Sequence, residues 1–220
     1  MSHLDLELQI LKRDVTDMWK LVQSQLEKGK EALQTNNKDL AREVILKEKR
    51  VNAYELKIDR DCENIFALFN PVAVDLRFVL AVLKINNNLE RTGDIADSIA
   101  KFVLDIDDSL ETKLMESAKI IAMFEVANSM LADVEKAFDT EDTNLARTVF
   151  KKDDFLDEIN GTASYVIADY IQANPSNIRQ SLHILSIIRK LERIGDQSKN
   201  IAEEIIFFVE AKVLKHRSKQ

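Results

Sequence analysis

The chain has 220 residues, with 31 Lys and Arg against 38 Asp and Glu for a net charge of -7; it is 45% hydrophobic and 31% charged, with 4 Gly, 2 Pro and 6% aromatic residues. This composition is too apolar for a disordered chain and too poor in turn residues for an all-β one, and the length allows a core that needs no staple. Interspersed charges of both signs exclude the electrostatic footprint of a nucleic-acid binder, and the single cysteine, Cys62, excludes an intrachain disulfide.

The opening stretch, "MSHLDLELQILKRD", is charged from Asp5 onward and lacks the regions of a signal peptide, and no later run approaches the length of a membrane span. A cytosolic protein is expected, reaching a membrane only through partners. The polar cluster "QTNNKD" ends a first helical segment, with Asn37 as the expected N-cap of the second. Pro71, after Asn70 in "FNPVAVDLR", separates the second segment from the third. The third runs toward "DIDDSLETK", which contains neither glycine nor proline, so it is expected to run nearly into the fourth, holding two bundles side by side. "DTEDTN" divides the fourth segment from the fifth, with Asn144 as expected N-cap; Pro175, after Asn174 in "ANPSNIRQS", divides the fifth from the sixth, with Ser176 as expected N-cap. Segments of roughly 30 residues are about 45 Å long.

The second half of the chain repeats the first. "LERTGDIADSIA" begins at Leu89 and "LERIGDQSKNIA" at Leu191; Gly93 and Gly195 share a register, as do Arg77 and Arg179, and each copy is preceded by an Asn-Pro turn. The expected fold is all-α: two tandem, similar three-helix bundles, residues 1–106 and 107–220, making six long helices.

Acids four residues apart share a helix face, so Glu90 with Asp94, and Glu192 with Asp196, project together at the border of the apolar stripes formed by Phe78, Val82, Ile85, Leu89, Ala96 and Val103 and by Ile184, Ile187, Leu191, Ala202, Ile205 and Val209. The preceding helix of each half carries another pair, Glu55 with Asp59 and Asp153 with Asp157. If border residues of adjacent helices meet, each half gathers four carboxylates. Like charges at this spacing cost a few tenths of a kcal/mol per pair, and a mid-helix glycine up to about 1 kcal/mol. A cation between the acids, and a neighbouring backbone brought close by glycine, would offset both costs. Carboxylates alone favour Mg, Mn, Ca or ferric iron, with zinc possible; ion pairs with Arg91, Arg193 or Lys199 are the competing reading. His3, His183 and His216 do not follow these acids at the Glu-x-x-His spacing, which argues against an oxygen-activating di-iron enzyme. No phosphate loop or nucleophile motif is present. Trp19, Phe207 and Phe208 read as core or dimer-interface aromatics.

Taken together, "VNAYELKID", "NPVAVDLR", "LERTGDIADSIA" and "LERIGDQSKNIAEEI" resemble the PhoU family of bacterial phosphate-signalling regulators over nearly the whole chain. The resemblance implies paired three-helix bundles and a non-enzymatic, cytoplasmic negative regulator of phosphate uptake and the phosphate-starvation response, peripheral at the inner face of the membrane through its partners. It implies contact with the ATPase of a phosphate ABC transporter and with a sensor histidine kinase, and a homodimer. It also implies iron or zinc on the acidic motifs, with Mg or Mn open: Glu55, Asp59, Glu90 and Asp94 in one half, Asp153, Asp157, Glu192 and Asp196 in the other. Two departures stand out. Asn52 is matched with Phe150 and Asp97 with Lys199, so the second site is expected to bind metal more weakly or to hold fewer ions. Alternatives are an accessory subunit of a low-affinity phosphate permease, a carboxylate-cluster metalloenzyme, and a helical scaffold with solvated acids.

Overall fold

A computed structural model describes residues 2–106 and 109–214. Among the described residues seven α-helices follow one another: α1 (His3–Thr35), α2 (Lys38–Phe69), α3 (Ala73–Asp105), α4 (Thr112–Ser117), α5 (Ile120–Thr140), α6 (Thr143–Ala173) and α7 (Ile178–Glu210), with one 3-10 turn at Pro175–Asn177. The described residues contain no strand.

Local chemistry sets most of the boundaries. Asn36 and Asn70 close α1 and α2 in the left-handed conformation that asparagine tolerates, at φ 50° and 46°. The Asn37 side chain accepts from the N–H groups of Asp39 and Leu40 at 3.0 and 3.1 Å, as its sequence position predicts. Asn144 does not cap α6. Asp142 does, accepting from the N–H of Asn144 at 2.9 Å and of Leu145 at 3.0 Å, because a cap must stand ahead of those donors and Asn144 is already inside the first turn. Ser176 lies within the 3-10 turn, and α7 starts without a side-chain cap.

Two further expectations are corrected. The fourth segment is broken: Lys119 adopts φ 50°, so among the described residues a short helix, α4, ending at Ser117, is added to the six long helices expected, α1, α2, α3, α5, α6 and α7. The bend leaves Leu110, Leu114, Ala118 and Ile120 all buried, which offsets the roughly 1–2 kcal/mol cost of a left-handed lysine. Nor does the third helix run nearly into the fourth: α3 ends at Asp105 and α4 begins at Thr112. The Lys38 ammonium, from the start of α2, donates to the carbonyls of Val103, Leu104 and Ile106 and so satisfies the end of α3 from outside. Residues 107 and 108 of this join lie outside the described residues.

Helices α1, α2 and α3 pack against one another, as do α5, α6 and α7, and the two sets meet through α1 on α5 and α3 on α7. Their seam is apolar and aromatic. Trp19 is fully buried, donates from Nε1 to the Leu131 carbonyl at 3.2 Å and lies 5.8 Å from Phe138; Phe208 meets Phe78 edge-on at 5.6 Å. Arg77 donates from Nε to the Phe208 carbonyl at 3.3 Å, tying α3 to the end of α7. Phe207 instead carries the Lys84 ammonium over its ring at 5.4 Å. The predicted stripes are buried, with Phe78 and Val209 partly so at the end of the seam. Among the described residues no helix is long and apolar enough to cross a membrane.

Candidate functional site

Burial of the apolar stripes of α3 and α7 leaves their acids in two grooves, one against α2 and one against α6. The glycine of each repeated motif fixes how those grooves are built. A Cβ on Gly93 would lie 2.9 Å from Glu48 Oε2, 3.2 Å from Val51 Cγ1 and 3.3 Å from Gln25 Oε1. A Cβ on Gly195 would lie 2.6 Å from Asp153 Oδ1 and 2.7 Å from Leu156 Cδ1. Each glycine therefore makes room for a carboxylate of the preceding helix, not for a neighbouring backbone as expected from sequence.

The shared contacts also set the true register between halves. Glu48 and Val51 occupy in the first groove what Asp153 and Leu156 occupy in the second. Lys47 donating to Ser24 at 2.7 Å is repeated by Lys152 donating to Ser129 at 2.5 Å. On this register Asp157 answers to Asn52, and Glu55 and Asp59 answer to Asn160 and Ser164. The matching of Glu55 and Asp59 with Asp153 and Asp157, and of Asn52 with Phe150, is thus displaced by two helical turns. Glu48 is the groove residue that sequence reasoning missed. Its signal was available in the spacing Glu48-x-x-x-Asn52, which repeats Asp153-x-x-x-Asp157.

In the first groove Glu48 is 8% exposed; Oε2 accepts from Gln25 Nε2 at 2.9 Å, while no protein donor reaches Glu48 Oε1 or Gln25 Oε1. Burial pushes the Glu48 carboxyl up to about 7 against the opposing Gln25 hydrogen bond, with Asp94, Asp97 and Glu90 adding repulsion. Glu90 is raised by burial, then by Asp94 and Glu55, and Glu55 by burial and Asp59. Asn86 Nδ2 donates to Asp59 Oδ1 at 2.9 Å and to the Glu55 carbonyl at 3.0 Å, leaving its own Oδ1 without a donor. Asp97 pairs along its own helix with Lys101, at 2.5 Å.

The second groove is arranged differently. The Lys199 ammonium bridges Asp153 Oδ2 and Asp196 Oδ1, the latter at 2.8 Å. Burial opposes its charge, but the two carboxylate hydrogen bonds outweigh burial and hold it above the usual ammonium range. At Asp153, 3% exposed, burial is the larger influence and raises the carboxyl despite Lys199. Glu192 is raised by burial, then by Asp196, Asp157 and Asp153. The predicted second set of acids therefore shares one neighbourhood, centred on a lysine.

Among the described residues no three His, Cys, Asp or Glu side chains stand together so as to hold a metal ion. Donor chemistry nonetheless separates the grooves. The buried, unmatched oxygens of Glu48 and Gln25 suit a hard cation in the first, whereas Lys199 stands between the carboxylates of the second, which does not suit one. Of the remaining candidates, Cys62 is fully buried with its thiol pushed to about 12, chiefly by burial, which makes it inert. His183 rests against Phe102 at 5.3 Å, and His216 lies outside the described residues.

Glu48 gives a first test. Its folded carboxyl titrates near 7, above the ordinary 4.5, so between those values the folded state holds a proton that the unfolded state has released, and stability falls as pH rises through that window. Without divalent cations Glu48→Gln is expected to be more stable than the parent by about 1–3 kcal/mol at pH 8, with the gain fading below pH 5. Urea unfolding at both pH values measures this; an equal gain at both contradicts it.

The PhoU domain model matches residues 15–103 and again 120–205. The phosphate-specific transport system accessory protein PhoU homolog 1 of Thermotoga maritima is 32% identical over 97% of this chain and 91% of its own length. The PhoU homolog of Aquifex aeolicus is 36% identical over 96% and 95%. Crystal structures of PhoU from Pseudomonas aeruginosa and of the phosphate transport system regulatory protein PhoU from Streptococcus pneumoniae superpose with TM-scores of 0.89 and 0.84, at 29% and 28% identity, covering 96% and 97% of this chain and 100% of each solved chain.

Proposed function

Because the chain belongs to the PhoU family, matched in both halves, we propose that it is an accessory protein of phosphate transport that acts as a cytoplasmic negative regulator of phosphate uptake and of the phosphate-starvation response. In this reading it couples the ATPase of a phosphate ABC transporter to a sensor histidine kinase, works as a homodimer and performs no catalysis of its own. The observation that carries it is the doubled "LERxGD" helix, whose glycine seats a carboxylate of the neighbouring helix in each half, within a chain similar to a PhoU homolog over 96% of its length.

The first groove is the proposed cation site. Glu48 and Gln25 would supply buried oxygens and Glu55, Glu90 and Asp94 the charge; a hard divalent cation would neutralise acids that otherwise raise one another's proton affinity. Asp59, held by Asn86, would orient the wall of that groove. Such an ion, when bound, would supply charge neutralisation between the acids of α2 and α3.

The test is a bacterium lacking its own PhoU and carrying a reporter driven by the phosphate-starvation response. Expression of this chain is expected to silence the reporter in phosphate-rich medium. A reporter that stays on while the chain is present and folded would overturn the reading.

A further inference from the structure

We infer that Lys199 is a built-in substitute for a bound cation, so that the second groove of this chain takes no divalent metal and any such ion is confined to the first. The inference rests on the reading of the first groove as a cation site. It is carried by three differences between halves that the glycine-based register brings into line.

First, the Lys199 ammonium joins α6 to α7 by contacting Asp153 on one helix and Asp196 on the other, which is what a bridging ion between helices does. A second cation at that point would face an ammonium within ion-pair distance, and the lysine would have to leave both carboxylates. Second, the position of Lys199 in the repeated motif is Asp97 in the first half. Asp97 is 7% exposed and pairs with Lys101 of its own helix, which feels the charge of Asp94 and Glu48 but makes no ion pair with Glu48 among those described. Third, Glu55 and Asp59 answer to Asn160 and Ser164, while Asp157 answers to Asn52, so the second groove has fewer acids than the first as well as a cation between them. The first groove keeps buried oxygens of Glu48 and Gln25 with no donor, whereas Asp153 Oδ2 is already engaged by Lys199 and only its Oδ1 lacks a donor.

A lysine tether removes the second groove's dependence on metal supply, leaving one half of the duplicated protein fixed and the other responsive. Chelator-stripped full-length protein is loaded with Mn²⁺, freed of excess by gel filtration and assayed for bound manganese. Asp153→Asn is expected to hold as much manganese as the parent. Lys199→Met is expected to hold about one equivalent more, and that gain is expected to disappear in the Lys199→Met, Asp153→Asn double variant. Mn²⁺ is also expected to raise the melting temperature of Lys199→Met more than that of the parent, a readout that survives if the variant folds only with metal. A loss of manganese in Asp153→Asn, or a folded Lys199→Met that binds no more than the parent, would overturn the inference. Failure of the first-groove reading shows separately, as a parent whose manganese content is unchanged by Asp94→Asn.

Discussion

Lys199→Met is expected to cost about 3–5 kcal/mol of stability at neutral pH in the absence of metal. The methionine keeps the aliphatic stem and removes the charge. Asp153, 3% exposed and raised above the ordinary carboxylate range by burial even with Lys199 beside it, then has no cation, and Asp157, Asp196 and Glu192 repel it. Its carboxyl consequently binds a proton more tightly in the folded than in the unfolded variant, so the folded state gains on acidification. The deficit relative to the parent is expected to shrink from pH 8 to pH 5. Lys199→Arg, which keeps the charge, is expected to lose less than half as much. Urea unfolding across that pH range decides it, and a deficit independent of pH would mean that Lys199 acts through packing alone.

Gly195→Ala is expected to destabilise by about 1–3 kcal/mol, although alanine is the better helix former by about 1 kcal/mol. The added methyl would meet Asp153 Oδ1 at 2.6 Å and Leu156 Cδ1 at 2.7 Å; Leu156 is fully buried, and Asp153 is pinned by Lys199. Neither tip can swing away without breaking the core or the ion pair. Gly161, in the exposed middle of α6, has nothing within 4 Å of its would-be Cβ, so Gly161→Ala is expected to stabilise by about 0.5–1 kcal/mol. Thermal melts of the two variants beside the parent measure the contrast. Gains in both would show that the motif glycine makes no room for the groove carboxylate.

Much of this was legible in the sequence because helix periodicity and asparagine chemistry are local. The stripes through Ile85, Leu89 and Val103 and through Ile187, Leu191 and Ala202 required only spacing, and Asn37 required only its place before a helical run. What was not legible depended on contacts between distant segments. The end of α3 is set by Lys38, 65 residues before Val103, and no pattern around Ile106 announces it. The break at Lys119 follows from keeping Leu114 and Ile120 in the core, since "ESAKIIAM" contains no helix breaker.

The site failed in an instructive place. Acid pairs four apart recur often in a charged helical chain, so Glu55 with Asp59 looked as good a match for Asp153 with Asp157 as any other. Glu48, in the basic run "LKEKR", reads as a solvated residue until Gly93 is seen to seat its carboxylate. The replacement of Asp97 by Lys199, by contrast, was visible in the repeated motif itself; the structure adds that this lysine reaches across to Asp153.

The measurement that bears most directly on the asymmetry of the two grooves is the anomalous scattering of crystals grown with Mn²⁺. The account predicts a manganese peak among Glu48, Glu90 and Asp94 and an ammonium, without a peak, between Asp153 and Asp196. A peak between Asp153 and Asp196, with Lys199 turned out to solvent, would contradict it.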